Sequence, residues 1–253
     1  MSAVSTAAHA PLPPLSIRAW LRYDVVSRAL AGLGPESVLE IGCGQGALGA
    51  RLAEASAYTG VEPDAASYAT AAARIEPRGG RVVHGTDSDL QGGETFDAVC
   101  AFEVLEHIED DRTALARWAS HLRPGGHLVL SVPAFQERFG PMDAFAGHYR
   151  RYEPETLKER LAEAGLTTRQ LTVYAWPLGY ALESVRNRID EKKLAAARAD
   201  GTPIEDLSAA SGRTFQPGGV WKGRAVQAAV LPFRALQRLQ PGRGIGMVVV
   251  AQS

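Results

Sequence analysis

The chain has 253 residues, with 27 lysines and arginines against 28 aspartates and glutamates, and a formal net charge of −1. This length and a hydrophobic content of 45% suit one large α/β domain or two small ones, and they exclude global disorder. The charge balance excludes a strongly basic nucleic-acid binder, and a cysteine count of 2 excludes a disulfide framework. Because the sequence has neither a signal peptide nor an apolar run of roughly 18 residues, we expect a cytoplasmic protein.

Residues 1–14 are small, polar and proline-rich, and they predict a flexible leader before a single domain over 15–253. Strand-like and helix-like segments then alternate. The predicted helices cover 17–33, 46–55, 65–75 and 112–122, and the predicted strands cover 37–41, 58–62, 81–84, 96–102 and 127–132. This alternation predicts right-handed βαβ units and a parallel, doubly wound sheet.

A polar, aromatic loop over 134–152 follows, and it leads to a helix that begins near Glu153 and stops at Gly165. A strand is predicted over 167–176 and a last strand over 244–251. Between them, residues 178–243 predict a helical insertion with a glycine- and proline-rich interruption over 201–219. Since aromatic residues cluster around this insertion, we expect it to form a lid over a pocket; they are Trp176, Tyr180, Phe215 and Trp221.

The most informative segment is a strand that runs into three glycines, Gly42, Gly44 and Gly46, with a helix directly after them. Such glycines let a turn be tight and let a ligand approach the backbone. Gly44, Gly46 and Gly49 even match the G-x-G-x-x-G pattern of NAD(P)-dependent oxidoreductases, which is one alternative function.

Two acidic residues point to a different ligand. Glu40 stands immediately before the loop, where it would repel a pyrophosphate but favour a cationic group. Glu62 ends the next strand, at the position from which an acid binds ribose hydroxyls in Rossmann-type folds. A ligand with a ribose, an adenine and a positive charge but no phosphate fits this pattern, and S-adenosylmethionine is such a ligand.

Five motifs in order resemble the class I S-adenosylmethionine-dependent methyltransferases, in particular the ubiquinone-biosynthesis O-methyltransferases and natural-product methyltransferases. They are E-I-G-C-G-Q-G at 40–46, G-V-E-P-D at 60–64, F-D at 96–97, E-V-L-E-H at 103–107 and L-R-P-G-G at 122–126. The resemblance implies a Rossmann-like sheet of seven strands with an antiparallel last strand and a helical insertion before it.

The same resemblance implies a set of cofactor-binding residues. Gly42, Gly44 and Gly46 would wrap the methionine part, with Glu40 near its ammonium, and Glu62 would hold the ribose hydroxyls. Asp87 is assigned to the adenine amine, although the usual aspartate position holds Thr86. Phe102 and Glu103 would lie beside the methyl donor.

The acceptor is expected at the loop over 134–152, where the segment G-H-Y-R-R-Y at 147–152 is rich in functional side chains. His148 is the general base favoured for removing a hydroxyl proton, because its ordinary pKa lies near neutrality. Tyr149, Arg150, Trp176 and Tyr180 are predicted to bind the acceptor. The alternative is that Arg151 and Tyr152 simply anchor the loop.

The spacing of Glu103, Glu106 and His107 places them on one face if the segment is helical, and His148 would complete a divalent-metal site. The arrangement resembles that of plant small-RNA 2′-O-methyltransferases and some ubiquinone O-methyltransferases. Since relatives without a metal carry the same string, a metal-free site is the other alternative.

Charges are distributed unevenly: residues 87–111 hold nine acids and no lysine or arginine, whereas 207–253 hold six basic residues and no acid. A helix-like run within 220–240 carries an apolar face, expected to pack on the domain or a second copy, cover the acceptor or contact a membrane surface; it comprises Val226, Ala229, Val230, Phe233, Leu236 and Leu239. The oligomeric state is left open.

The predicted function is transfer of a methyl group to a small-molecule hydroxyl, with no nucleic acid as partner. An N- or C-methyltransferase acting on an anionic or lipid-like acceptor and a non-catalytic S-adenosylmethionine-binding protein are the further alternatives.

Overall fold

A computed structural model of the chain describes residues 10–90, 93–200 and 220–253, which build around a seven-stranded sheet. Its strands are β1 (Ser37–Ile41), β2 (Ala57–Glu62), β3 (Arg81–His84), β4 (Phe96–Phe102), β5 (Leu122–Pro133), β6 (Thr167–Ala175) and β7 (Gly244–Gln252). Their order is β3-β2-β1-β4-β5-β7-β6, with β7 antiparallel to both of its neighbours and the pairs from β3 to β5 parallel. The predicted Rossmann-like sheet with an antiparallel last strand is confirmed.

Helices cover the two faces of this sheet. They are α1 (Ile17–Leu33), α2 (Gly49–Leu52), α3 (Ala65–Ile75), α4 (Asp111–Ser120), α5 (Pro141–Ala146), α6 (Pro154–Glu163), α7 (Leu178–Asp200) and α8 (Val220–Arg238). Successive strand residues point to opposite faces, so Val38 joins the core cluster that holds α1, while Leu39 joins the cluster that holds Trp118 of α4. Both faces are therefore buried, as a doubly wound sheet requires.

The strand predicted over 127–132 extends over Leu122–Pro133, and the helical predictions differ from the structure at three places. The helix predicted over 46–55 shrinks to Gly49–Leu52, because Gly46 has a φ of 71° and belongs to the preceding turn. The helix predicted over 112–122 ends at Ser120, since Leu122 already pairs with Phe96 as part of β5. The loop over 134–152 contains α5, which is too short to show a helical period.

The start of the described chain lies against the domain, although the sequence predicts that residues 10–14 are part of a flexible leader. Pro13 is buried, and its carbonyl accepts a hydrogen bond from Nη2 of Arg51 at 2.7 Å. Residues 1–9 of the predicted leader, the predicted interruption at 201–219 and Phe215 lie outside the described residues. Across the ranges that the structure covers, we find no helix with the combined length and apolarity to cross a bilayer.

Candidate active site

The loop after β1 depends on glycine at three positions. Gly42, Gly44 and Gly46 have φ values of 65°, 55° and 71°, in the left-handed region that side chains disfavour. A Cβ added to Gly46 would lie 2.9 Å from the Cα of Ala71, and one added to Gly42 would lie 2.8 Å from Cγ2 of Val104. A Cβ on Gly44 would meet nothing within 4 Å. The outer glycines thus permit close packing, and the middle one leaves its backbone open.

A cavity of about 290 Å³ lies beside this loop. Its walls come from the N-terminal segment, α1, the glycine loop and the ends of β1 and β4, and include Leu15, Arg22, Glu40, Gly42, Gly44 and Phe102. The predicted residues Glu40, Gly42, Gly44 and Phe102 therefore meet at one cavity. Gly46, Glu62, Asp87 and Glu103 lie outside its lining, with the roles described below.

Glu40 is a buried carboxyl at the edge of this cavity. Its Oε2 accepts a hydrogen bond from the Tyr58 hydroxyl at 2.5 Å, and the residue is only 3% exposed. Burial raises the pKa of Glu40 to about 7, against the opposing influence of Tyr58 and Arg22. Its charge therefore changes near neutrality, and a cationic ligand would favour the ionised form.

Glu62 ties the end of β2 to the glycine loop. One of its oxygens accepts a hydrogen bond from the backbone N–H of Gly44 at 2.8 Å, and the other accepts one from Asp64 at 3.0 Å. Each carboxylate oxygen has a second lone pair, so both can still accept a bond from a ligand hydroxyl. Glu62 can thus hold the loop and bind a ribose at the same time.

Asp87 is buried and already paired. Its Oδ2 lies 2.9 Å from Nε of Arg117 on α4, and its Oδ1 accepts a hydrogen bond from Nη2 of the same arginine at 3.1 Å. In the structure Arg117 occupies this carboxylate. The assignment of Asp87 to the adenine amine stays a prediction.

Glu103 follows β4 with a φ of 59°, which turns the chain sharply at the sheet edge. It accepts a hydrogen bond from Ser131 at 2.9 Å and lies 3.5 Å from Nη1 of Arg22. Burial opposes its ionisation, but Arg22, Arg18 and Ser131 together hold the pKa of Glu103 below its usual range. Sequence reasoning missed Arg22, since no motif distinguishes it from the other arginines of α1.

His148 is oriented by a buried chain of charges. Its Nδ1 lies 2.9 Å from Oδ1 of Asp143, which accepts two hydrogen bonds from Arg151 at 2.9 and 2.7 Å. Arg151 also donates to Glu183 of α7 at 2.6 Å. Although burial works in the opposite direction, His148 and Arg151 hold the pKa of Asp143 at about 2. In the neutral tautomer that this contact favours, Nδ1 donates to Asp143 and Nε2 is the free base.

Glu106 and His107 lie beside that free nitrogen. Glu106 is fully buried, neither of its oxygens has a hydrogen-bond partner among the described residues, and its Oε1 is 4.0 Å from Nε2 of His148. Burial and the charge of Glu103 raise the pKa of Glu106 well above its usual range. Burial, with His148 second, lowers the pKa of His107 to about 4.

The prediction that Glu103, Glu106 and His107 share one helical face is wrong. The backbone of Glu103 lies in the left-handed region, and only residues 105–107 form a 3₁₀ turn. Potential ligand atoms of Glu106, His107 and His148 nevertheless lie within 4.8 Å of one another. Glu103 is not part of this group and interacts with Arg22 instead. A cation would therefore take Glu106, His107 and His148.

The predicted acceptor residues are arranged unequally. Tyr149 is 53% exposed, whereas Arg150 is paired with Asp111 at 2.9 Å and donates to the carbonyl of Glu109 at 2.7 Å. Tyr180 lies beneath the guanidinium of Arg138, with 4.5 Å between Cζ and the ring centroid, and Trp176 is half-buried.

The basic C-terminal segment is only partly free. Arg234 lies 3.1 Å from Oδ1 of Asp24, a buried residue of α1, and Arg238 also pairs with Asp24. These two arginines fasten α8 to α1, so they are not available to an anionic acceptor. Trp221 is 80% exposed, which argues against the predicted place of this side chain inside a lid.

A family model described as a methyltransferase domain matches residues 17–171. An uncharacterized methyltransferase of Mycobacterium tuberculosis (strain ATCC 25618 / H37Rv) is 39% identical over 115 residues, which cover 44% of this chain and 57% of that protein. A ubiquinone biosynthesis O-methyltransferase of Alkalilimnicola ehrlichii is 34% identical over 120 residues, covering 44% of this chain and 47% of that protein. The chain thus spans about half the length of the curated relatives it matches.

Among solved structures, the chain is similar to the N-methyltransferase NodS of Bradyrhizobium japonicum in complex with S-adenosyl-L-homocysteine. The two are 28% identical with a TM-score of 0.50, and the match covers 59% of this chain and 76% of NodS.

Proposed function

The chain belongs to the methyltransferase domain family, and we propose that it transfers a methyl group from S-adenosylmethionine to a hydroxyl oxygen of a small molecule. The family membership supports the predicted cofactor over the NAD(P)-dependent alternative. The acidic residue Glu40 at the glycine loop supports it independently, since a pyrophosphate would be repelled there.

The cavity residues suggest how the cofactor is held. Ionised Glu40 would bind the ammonium of the methionine part, Arg22 would bind its carboxylate, and the open backbone at Gly44 would allow close approach. Glu62 would accept from the ribose hydroxyls, and Phe102 and Glu103 would lie near the sulfonium. When bound, the cofactor supplies a methyl group that is activated for in-line displacement.

The main observation that supports a hydroxyl oxygen as the acceptor atom is the pair of Asp143 and His148. A hydroxyl must lose its proton as it attacks, and a positioned base contributes on the order of 10²–10⁴ to the rate. Asp143 holds Nδ1 of His148 at 2.9 Å, so Nε2 can take that proton. The proton then resides on His148, whose imidazolium is stabilised by the neighbouring carboxylate.

The acceptor itself is proposed only by class. The relatives include an O-methyltransferase and an N-methyltransferase, so an N- or C-acceptor that is anionic or lipid-like is the alternative. Tyr149, exposed beside His148, is the most accessible of the residues predicted to bind it, together with Trp176 and Tyr180. Arg150 would contribute only after leaving Asp111.

Glu106, His107 and His148 also fit a divalent cation, because Glu106 offers a buried carboxyl without a partner. Such a cation would polarise the acceptor hydroxyl and lower its pKa. In that case His148 would be a ligand instead of the base.

The test measures transfer of labelled methyl groups from S-adenosylmethionine to phenolic, sugar and lipid-like hydroxyls. With His148→Ala we expect turnover to fall by about 10²–10⁴ while the affinity for S-adenosylhomocysteine stays unchanged. His121→Ala, on the half-buried end of α4 away from the acceptor loop, is the matched control.

Unchanged turnover in His148→Ala would show that this residue is structural. Turnover that EDTA abolishes and Mg²⁺ restores would favour the metal over the base. Cofactor binding without transfer to any acceptor would favour the non-catalytic alternative.

A further inference from the structure

The sequence of helix α8 predicts one apolar face, and in the structure the helix has two. Its inner face lies against α1: Val230 is 1% exposed, Gln237 is 3% exposed, and Val226 and Phe233 pack on the same core. Gln237 donates to Asp24 and to the carbonyl of Leu21 at 3.1 Å each. This face and the arginine pairs with Asp24 hold the helix against α1.

The outer face carries a continuous apolar row, which we call the outer stripe. Its members recur at alternating intervals of four and three residues and are all exposed; they are Trp221, Ala225, Ala228, Pro232, Ala235 and Leu239. Trp221 is 80% exposed and Leu239 is 72% exposed. This spacing places the five members within α8 on one side of the helix, and Leu239 follows directly after its last residue, so the stripe is a single surface and not scattered exposure. Singly scattered apolar residues are ordinary on a protein surface, whereas a continuous row of them makes the stripe a candidate interaction surface.

The charges around the outer stripe have one sign. Lys222 and Arg224 flank its first turn and Arg243 follows its end, all exposed, and the sequence of α8 contains no acid. The guanidinium carbon of Arg224 lies 5.6 Å from the centroid of the Trp221 ring. Arg224 is thus placed beside the most exposed aromatic residue.

We propose that the outer stripe docks on an anionic membrane surface, with α8 lying in the plane of the interface. A helix that presents tryptophan and leucine between lysine and arginine is suited to this position, because the apolar row enters the headgroup boundary while the cations meet anionic lipids. Gly223 of α8 packs against Pro14, which lines the cofactor cavity. Docking would therefore bring that cavity close to the lipid surface.

A second copy of the chain fits the stripe less well. From Trp221 to Leu239 the stripe is about 27 Å long, and at a helix width of roughly 10 Å it offers about 270 Å². A stable protein interface needs roughly 800 Å² from each partner. In an antiparallel pair, Lys222 and Arg224 would also lie near Arg243 of the other copy, with no acid on α8 to balance them.

The test is co-sedimentation of the full chain with vesicles of phosphatidylcholine alone and of phosphatidylcholine mixed with phosphatidylglycerol. We expect binding to the mixed vesicles only, weakened by added salt. The double variant Trp221→Ser with Leu239→Gln should lower the partition coefficient by roughly tenfold or more. The matched control is Val185→Ser with Ile189→Gln on α7, where two exposed apolar residues are removed from another helix; it should bind like the wild type.

Equal loss in both double variants, equal binding to neutral vesicles or no binding at all would overturn the proposal. So would a wild-type dimer in sedimentation velocity that the Trp221/Leu239 variant converts to a monomer. S-adenosylhomocysteine affinity, measured on every variant, shows separately whether the methyltransferase site is intact, so the two proposals can fail independently.

Discussion

Two buried carboxyls of the site, Glu40 and Glu106, differ in what surrounds them. Glu40 accepts a hydrogen bond from Tyr58 and lines the cavity beside the glycine loop, where we propose that the cofactor binds. The carboxyl oxygens of Glu106 have no hydrogen-bond partner among the described residues, and Oε1 lies 4.0 Å from Nε2 of His148. Burial raises the pKa of both groups, but only Glu40 is placed where a ligand in the cavity would reverse that effect.

The affinity for S-adenosylhomocysteine should therefore depend on pH through Glu40. Its folded-state pKa of about 7 lies above the ordinary 4.5, so the carboxyl is neutral in weak acid and gives the ligand ammonium no counter-charge. As pH rises from about 5.5 to 7, we expect the dissociation constant to fall, by up to about tenfold per pH unit at the acidic end. Isothermal titration calorimetry measures this directly.

The raised pKa of Glu40 should have the opposite effect on the stability of the ligand-free protein, which falls as pH rises. A carboxyl whose pKa is raised by folding contributes stability below its unfolded pKa, and that contribution disappears as pH rises through about 7.

Two variants test the pH dependence of the affinity. Glu40→Gln should remove the pH step in affinity, and Tyr58→Phe should move the midpoint of that step upward, because the Tyr58 hydroxyl lowers the pKa of Glu40. A flat affinity profile in the wild type would show that Glu40 does not bind the ammonium.

At the residue scale, sequence reasoning could predict positions but not pairing partners. The glycine pattern and its preceding acid indicated Glu40, Gly42 and Gly44, and the family resemblance implied Phe102. These residues meet at one cavity because the carboxyl ends of parallel strands lie at the same edge of a sheet. No motif in the sequence indicated that Arg22 lines this cavity. The pairing of Asp87 with Arg117 depends on the packing of α4, which local sequence does not specify.

At the scale of elements, the glycine loop between β1 and α2 separates folding from binding. Both Gly46 and Gly44 have positive φ, yet only Gly46 is packed against the backbone of α3. Gly46→Ala should therefore add overpacking to conformational strain and lower the free energy of unfolding by about 2–5 kcal/mol. Gly44→Ala should cost about 1–2 kcal/mol from strain alone.

Gly46→Ala should have the larger effect on stability, whereas Gly44→Ala should have the larger effect on ligand affinity. The Gly44 methyl group would enter open space beside the cavity, so Gly44→Ala should weaken S-adenosylhomocysteine more than its stability loss suggests. Urea unfolding and calorimetry on the same two variants compare the effects. Similar losses of stability in both variants would contradict the proposed difference in packing.

Elements with a strong period were predictable, and short ones were not. Strand β1 and helices α1 and α3 have the predicted bounds, whereas α2 and α5 hold too few residues for a 3.6-residue period to show. The segment E-V-L-E-H has helical spacing, but the chain turns through a positive φ at Glu103. Tertiary contacts with Ser131 and Arg22 accompany that turn, and no local pattern indicates them.

At the scale of the whole molecule, the uneven distribution of charge has two uses. The resemblance to S-adenosylmethionine-dependent methyltransferases is confirmed by the family match over 17–171, and the acidic residues of that part include those at the cofactor cavity. In the C-terminal part, Arg234 and Arg238 neutralise Asp24, while Lys222 and Arg224 remain exposed. A cytoplasmic location and the boundaries of a lid over 178–243 stay predictions.

The insertion is also connected to the acceptor loop. Glu183 of α7 binds Arg138 and Arg151, and Arg151 holds Asp143 beside His148. Asp143, Arg151 and Glu183 are buried, so removing one of these three would leave a buried charge without its partner. The position of His148 is thus coupled to α7, a dependence that the segment G-H-Y-R-R-Y alone does not reveal.

Because the proposed cofactor cavity is lined by the N-terminal segment, α1 and the ends of β1 and β4, ligand binding should stabilise the whole domain. S-adenosylhomocysteine at 100 times its dissociation constant should add about 2.7 kcal/mol by mass action, which corresponds to a rise of several degrees in the melting temperature. NADH should produce no rise, since Glu40 stands where its pyrophosphate would lie. Differential scanning calorimetry at matched ligand concentrations measures both, with Glu40→Gln as a variant expected to show a smaller response to S-adenosylhomocysteine. Stabilisation by NADH of the same size would contradict the assignment of this cavity to a cationic, phosphate-free ligand.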